Sequence, residues 1–540
     1  MHDSVTCARP SAPGPSSRLR AACEVGLIFL VFFIQGAWLA PHVNEPHYLG
    51  KARHYWDASW CPDDFFLNSA DAHQVFYWTF GWLARVMPFA PLAWFGRALT
   101  WVLLAWAWRR LSWALVPAPF YAVLSAALMV TLIDHFQMAG EWLIGGVEAK
   151  GFAYVLVLVG LEWLVRERWG RAIMAFGAVA AFHVVIGGWC VVAAGVVWLA
   201  CPQRPPLARL VLPLLVGGCL SLAGLLPALT LARGVEPQVV AEANRIYVYE
   251  RLYHHLLPQQ FPLWFVVEHW GVLVVVRHLL LIGGLLLLIW TAGKLDAAWR
   301  RLLTFVAATV GIAAVGMVIA LVAPAAPDLA ASLLRFYWFR TSDVLVPVGT
   351  ALLASHTLWR WQHTQTMRHA VALTLVLVVV AGHFAQLLSW RQRHPWPPAD
   401  AGIADLAGWR EACEWARANT PADAVFLTPR LAQTFRWYAA RAEVVSRKDI
   451  PQDAAGIVEW WRRNCFVHMA GAGTPQARWR RSLTELSAAQ LRTLGRQFGA
   501  DYVITEAEPP LALPQVGPTR GGYAIYQLSS ERGTGSAGKN

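Results

Sequence analysis

In the stretch VNEPHYLGKARHYWDASWCPDDFFLNSADAHQVFYW, the residues Glu45, His47, His54, Asp57, Asp63, Asp64, Asp71 and His73 crowd into one short segment. Carboxylates and imidazoles at this density can deprotonate an alcohol or hold a divalent cation. A solvated loop edged with aromatics has the same composition. Glu45 is the leading candidate base, because it directly follows an apolar run and the chain then re-enters an aromatic stretch. His47 and Asp64 are the candidate assistants.

Three further segments carry candidate chemistry. GEWLIGGVEAKGFAY places Glu141, Glu148 and Lys150 at the mouth of an apolar run, where ionisable groups are costly. They form either part of a binding site or an interfacial Glu148–Lys150 pair, and Gly145 and Gly146 allow a turn between them. LLRFYWFRTSDVLVPVG contributes Arg335, Arg340 and Asp343. Arginine suits bidentate phosphate recognition, although Arg340 and Asp343 are also spaced to pair along one helical turn. Segment 232–270 combines Arg233, Arg245, Tyr247, Tyr249, Arg251, His254 and His255, a set that can hold a phosphate or sugar, or anchor at lipid headgroups. His183, in AFHVVIGGW, reads more simply as a packing residue. No phosphate-binding loop, dinucleotide fingerprint, HExxH or nucleophile elbow occurs. The residues name no cofactor, though the acidic loop could take a divalent metal.

The elements that position these residues follow from composition. The chain is 57% hydrophobic and 14% charged, against about 25% charged in soluble proteins, with a mean hydropathy of +0.41. Apolar runs lie near 24–40, 93–108, 115–133, 151–165, 172–185, 187–200, 210–231, 270–290, 303–323, 342–358 and 370–389, about eleven spans. The fifth and sixth are short, and Gly187 and Gly188 between them suggest a broken pair. Tryptophans at run ends, among them Trp82, Trp101, Trp270 and Trp290, suit an interfacial belt. The net charge of +12 and pI near 9.5 would allow nucleic-acid binding. The Lys and Arg residues cluster at span ends instead, about threefold denser in alternate loops, so no nucleic-acid partner is expected.

That bias places the N-terminus inside and, with an odd number of spans, the C-terminal region outside. The expected organisation is a cytoplasmic tail (1–24), a transmembrane domain (25–390) with a long first outer loop (41–92), a small soluble α/β domain (391–528) and a disordered tail (529–540). Within the first outer loop, 76–87 looks amphipathic and suited to the membrane surface. In the soluble domain, helices are expected at 406–419, 454–465 and 488–498, and strands at 424–428, 502–505 and 523–528. Cys413 and Cys465 could pair if that domain is extracytoplasmic.

The acidic residue just beyond the first span, the long outer loop and the second span FGRALTWVLLAWAWRRL together resemble GT-C class glycosyltransferases. More specifically, NEPHYL, GEWLIGGVEAKGFAY, FYWFRTSD, NTPADAVFLTP and FGADYVITE resemble an uncharacterised bacterial polytopic membrane protein family, over most of the chain. Where GT-C enzymes carry an acidic residue or pair in the first loop, this chain has Glu45 with Asn44 and His47, and the pair Asp63-Asp64 comes later. The resemblance implies a bacterial inner (plasma) membrane protein that moves a sugar from a polyprenyl-phosphate carrier to an envelope acceptor on the outer face. Glu45, His47 and Asp64 would then be catalytic, and Glu141, Glu148, Lys150, Arg251, Arg335 and Arg340 would bind substrate. A transporter or flippase of a lipid-linked or anionic substrate, and a non-catalytic envelope-assembly protein, are the rival expectations.

Overall fold

The computed structural model describes residues 15–260, 274–518 and 521–528. Residues 1–14 of the expected N-terminal tail, the start of the span expected near 270–290 (with Trp270), and the tail 529–540 lie outside the described residues.

The chain is mainly helical, and each expected span coincides with a helix. Among the described residues, six helices are long and apolar enough to cross a membrane: Pro15–Gly36, Phe89–Leu115, Val211–Thr230, Val274–Ala292, Ala297–Val322 and Thr366–Arg393. Tyr121–Phe136, Trp169–Phe182 and Val184–Ala200 are shorter apolar helices. The chain reads as a multi-pass membrane protein, with leucines and valines of these helices facing outward, as a lipid-facing surface requires.

The broken pair exists, but its break is at His183, whose backbone is extended (φ −151°, ψ 96°) between Trp169–Phe182 and Val184–Ala200. Gly187 serves a different purpose from the one expected, since a methyl group there would overlap the Ala180 backbone. Gly177 likewise lies against the Gly217 carbonyl, and Gly224 against the carbonyls of Ala180 and Ala181. Helices approach closely at such small residues, and their van der Waals contact replaces the hydrophobic drive that lipid cannot supply. Trp82 and Trp290 are exposed, whereas Trp101 is buried against Gly36 and does not join an interfacial belt.

Segment 41–92 is more ordered than its sequence suggests. A helix, Glu45–Trp56, begins at Glu45, with Pro46 and an acidic residue in its first turn and Arg53 and His54 in its last. That distribution matches the helix dipole and the tolerance of proline at helix starts. The amphipathic stretch resolves into Gln74–Thr79 and a 3₁₀ turn, Gly81–Arg85.

Beyond the last membrane helix lies a five-stranded sheet of order β2-β1-β5-β7-β6. Its strands are β1 (Val425–Leu427), β2 (Ala442–Glu443), β5 (Tyr502–Glu506), β6 (Gln515–Gly517) and β7 (Tyr523–Gln527); β3 (Met469–Ala470) and β4 (Arg478–Trp479) form a separate antiparallel pair. Strands β2, β1 and β5 are parallel, and β7 runs antiparallel to β5 and β6. Both faces are buried in strict alternation. Phe426, Ile504 and Ile525 pack with Trp409 and Phe435 on one side. Val425, Leu427, Val503, Ala524 and Tyr526 pack with Ile457 and Trp460 on the other. This second core also takes in Trp60, Cys61, Phe66 and Leu67 of segment 41–92 and Ala243 and Ile246 of a later one. The sheet domain is therefore built onto these two segments and shares a core with them. Cys413 and Cys465 are free.

Candidate functional site

The turn from Gln137 to Glu148 is held at both ends. At one end Asp343 accepts hydrogen bonds from the backbone N–H groups of Met138 and Ala139, both at 2.9 Å. At the other, Glu45 accepts from the Val147 N–H at 3.0 Å. Gly146 lies against Glu45 and His42 so closely that a side chain would collide.

So held, the turn presents Glu141 and Glu148 to two cations. Lys150 Nζ lies 3.2 Å from Glu141 Oε1 and 3.1 Å from Glu148 Oε1. Arg340 Nε lies 2.9 Å from Glu141 Oε2, and its Nη1 is 3.0 Å from His183 Nε2. Asn44 donates to Glu148 Oε2 at 2.8 Å. Trp142 lies under the Lys150 ammonium and Tyr337 under the Arg340 guanidinium, each with its ring centroid at 3.9 Å. Tyr337 takes a left-handed conformation (φ 52°), of the kind retained where surrounding structure enforces it. Its hydroxyl meets Tyr247, 3.0 Å away, which projects from a π-helical segment, Ile246–Arg251. Such segments recur at functional sites.

This cluster is buried but incompletely satisfied. The Oε1 atoms of Glu141 and Glu148 face Lys150 yet accept no hydrogen bond, and the Tyr154 hydroxyl has no partner among the described residues. Buried polar groups left this way have capacity for a further contact, from water or a ligand.

The sheet domain adds a fifth charge. In segment 446–450, the Arg447 and Lys448 carbonyls accept from Arg251 Nε and Nη2 at 3.1 and 3.2 Å, and Asp449 meets His47 Nδ1 at 3.1 Å. This brings Lys448 toward Glu148 and Lys150. Burial, then the neighbouring Arg251, pushes Lys448 down to about 8, while Asp449 and Glu148 pull the other way. Its ammonium makes no hydrogen bond among the described residues. Burial followed by the surrounding cations lowers His42 and His254 to about 3, so both are neutral at pH 7. The region is thus electropositive and lined by uncharged imidazoles, with two carboxylates at its floor.

The remaining expected site residues are placed elsewhere. Glu45, expected as the base, has each carboxylate oxygen filled by two donors: Arg97 Nε and Val147 N on Oε1, Arg97 Nη2 and His42 N on Oε2. So bonded, Glu45 anchors the turn and the start of its own helix. Asp64, expected to assist it, accepts from Leu67 N and Glu443 N and pairs with Arg436. His47 pairs with Asp449, which also meets Arg436. Asp64, Glu443 and Asp449 thus converge on one buried arginine between segment 41–92 and the sheet domain. Arg251 spends two of its donors docking segment 446–450. Arg335 donates to Asn244 at 2.7 Å, away from the cluster. Glu141, Glu148, Lys150 and Arg340 are the expected residues that the fold brings together.

Sequence reasoning missed Lys448, Asn44, Arg97 and Arg436. Arg97 had a usable signal, a charge inside an apolar run. Lys448, in SRKDIP, had none, because its importance arises only when the sheet domain docks.

Residues 407–467 match the family described as Domain of unknown function (DUF6798), which takes in Arg436, Glu443, Lys448 and Asp449. No curated protein matches the chain. Among solved structures, the archaeal oligosaccharyltransferase AglB from Archaeoglobus fulgidus, in complex with an inhibitory peptide and a dolichol-phosphate, aligns over 91% of this chain and 70% of its own at 12% identity, with a TM-score of 0.44. A crystal structure of the Archaeoglobus fulgidus oligosaccharyltransferase in complex with Zn and sulfate aligns over 89% of this chain and 67% of its own at 12% identity, with a TM-score of 0.42. Likeness at this level assigns neither fold nor activity, and the site is argued from its own geometry.

Proposed function

We propose that this chain is an outer-face glycosyltransferase that takes a sugar from a polyprenyl-phosphate carrier and passes it to a hydroxyl-bearing envelope acceptor. The observation that carries this reading is the half-satisfied cluster of Glu141, Glu148, Lys150 and Arg340, with the unpaired Lys448 beside it. Clustered cations in a buried setting suit a phosphate whose charge grows as its bond to the sugar breaks. A carboxylate oxygen that faces the Lys150 ammonium but accepts no hydrogen bond, as Glu148 Oε1 does, suits the acceptor's proton once Lys150 turns to the phosphate.

In this mechanism the acceptor oxygen attacks the anomeric carbon, and the bond from that carbon to the carrier phosphate breaks. The phosphate leaves with the electron pair, its charge held by Lys448, Lys150 and Arg340. Glu148 takes the hydroxyl proton through Oε1. Glu45 acts as a positioning residue, fixing the turn that carries Glu141 and Glu148. The long apolar helices accept the carrier's hydrocarbon chain, and the sheet domain closes the site from the aqueous side. On this reading the chain lies in a bacterial inner membrane, with its N-terminus cytoplasmic and the sheet domain outside.

Native mass spectrometry of protein purified in nanodiscs and supplied with polyprenyl-phospho-sugars tests binding, and a turnover assay tests transfer. Carrier should be retained by the wild type and by Glu148→Gln, while Glu148→Gln loses transfer at least a hundredfold, the scale of general-base catalysis. Wild-type protein that neither binds carrier nor transfers sugar would overturn the reading. Normal transfer by Glu148→Gln would remove that residue as the base.

A further inference from the structure

On a different part of the helix bundle, Asp134 and His135 at the end of helix Tyr121–Phe136 meet His383 of helix Thr366–Arg393. One ligand atom from each lies within 4.8 Å of the others. His135 Nε2 and His383 Nδ1 are 3.1 Å apart, and Asp134 Oδ2 is 3.9 Å from His383 Nδ1. Two nitrogens bound to one tetrahedral zinc ion stand about 3.3 Å apart, given Zn–N bonds of about 2.0–2.1 Å. The imidazole spacing already fits a shared ion.

The other side of His383 has an acceptor, since its Nε2 lies 2.8 Å from Gln35 Oε1. The tautomer that donates from Nε2 to that oxygen presents the Nδ1 lone pair toward His135, 3.1 Å away. Gln35 is itself held, since Arg391 donates to its carbonyl at 2.5 Å and to that of Ile34 at 2.7 Å. An imidazole whose far nitrogen donates to a fixed oxygen is the usual arrangement of a metal-ligating histidine. Asp134 has 48% of its side chain exposed, so it is free to swing onto the ion and gives it a route in. The nearby Arg277 aims its charge at the His135 carbonyl, 3.3 Å away.

We infer that Asp134, His135 and His383 form a binding site for a zinc-class divalent cation, with a fourth position left to water, and that the ion clamps the last membrane helix to the bundle. Helix Thr366–Arg393 buries only His383 and Leu387 of its side chains, yet it carries the sheet domain at its C-terminal end. Beside the partly buried Val376, Val380 and Phe384 that pack it on the bundle core, a metal bond across His383 adds a fixed point. Two imidazoles and one carboxylate favour zinc over calcium or magnesium, which prefer all-oxygen shells.

The test uses full-length protein purified without a polyhistidine tag, stripped with chelator and titrated with Zn2+, Mn2+ and Ca2+ separately. Wild type should bind one equivalent of Zn2+, and Mn2+ and Ca2+ only weakly. Binding should vanish in His135→Ala/His383→Ala. Gln35→Leu should weaken it about 10–100-fold, the usual effect of removing a partner behind a ligand. Unchanged zinc stoichiometry in the double variant would overturn the assignment. Cobalt loading of the wild type decides the case if that variant does not fold: the visible bands of tetrahedral cobalt support the site, and their absence refutes it.

Discussion

Glu45 and Glu148 are both buried carboxylates at helix starts, and both face a cation, but one is closed and the other open. Glu45 and Arg97 match fork to fork at 2.7 Å on each arm, and backbone N–H groups fill what remains. Glu148 meets Lys150 and Asn44 but keeps an oxygen that accepts no hydrogen bond, and unpaired Lys448 lies nearby. A saturated buried pair rigidifies its surroundings, whereas a half-satisfied group in the same low-dielectric setting is poised for something that is not protein. Proximity in sequence to the first span favoured Glu45 for chemistry, and hydrogen-bond accounting favours Glu148.

The comparison breaks most visibly through stability. Arg97→Met leaves the Glu45 carboxylate buried without its partner and should cost about 3–5 kcal/mol. Adding Glu45→Gln should restore most of that loss, read from thermal unfolding in detergent. Lys448→Met should do the reverse, leaving the melting temperature unchanged or higher while weakening carrier binding about 10–100-fold, the scale of hydrogen bonds to charged groups. If Lys448→Met melts as low as Arg97→Met, the distinction between closed and open sites fails.

A pH series sharpens it further. Lys448, lowered to about 8, holds its charge below that value and loses it above, so carrier affinity should fall as pH rises through about 8. Lys448→Arg should flatten that profile.

The smallest effect concerns the arginine between loop and sheet domain. Burial pushes Glu443 up to about 8, with Asp64 and Asp449 adding to it and Arg436 opposing. Burial also pushes Asp449 up, but Arg436 and His47 outweigh it and hold Asp449 at about 2. A raised carboxylate supports the fold fully below its unfolded value near 4.5 and loses that support as pH rises through about 8. Asp449 acts oppositely, its contribution present above 3.8 and lost as pH falls through about 2. Docking of the sheet domain, followed by proteolysis of the linker near 391–398, should therefore loosen mildly as pH rises through about 8. Glu443→Gln should remove that dependence. An unchanged proteolysis profile would show that Glu443 does not govern docking.

The helices and the sheet domain were legible because their signals are local and periodic. Apolar runs of spanning length mark helices, and short, largely apolar stretches such as 502–505 and 523–528 mark strands. GEWLIGGVEAKGFAY and FYWFRTSD also declared themselves, since charges beside apolar runs are conspicuous. Sequence could not decide which carboxylate is filled and which is free. That depends on Arg97, Val147 and His42 converging on Glu45, and on Lys448 arriving from roughly 300 positions beyond Glu148. Likewise, nothing local relates His135 to His383 or Asp64 to Arg436. Composition and periodicity determined that this chain folds as a helical bundle in a membrane with an α/β domain after it. Only the tertiary structure decided where the buried charges are neutralised and where they are left open, because partners distant along the chain set that balance.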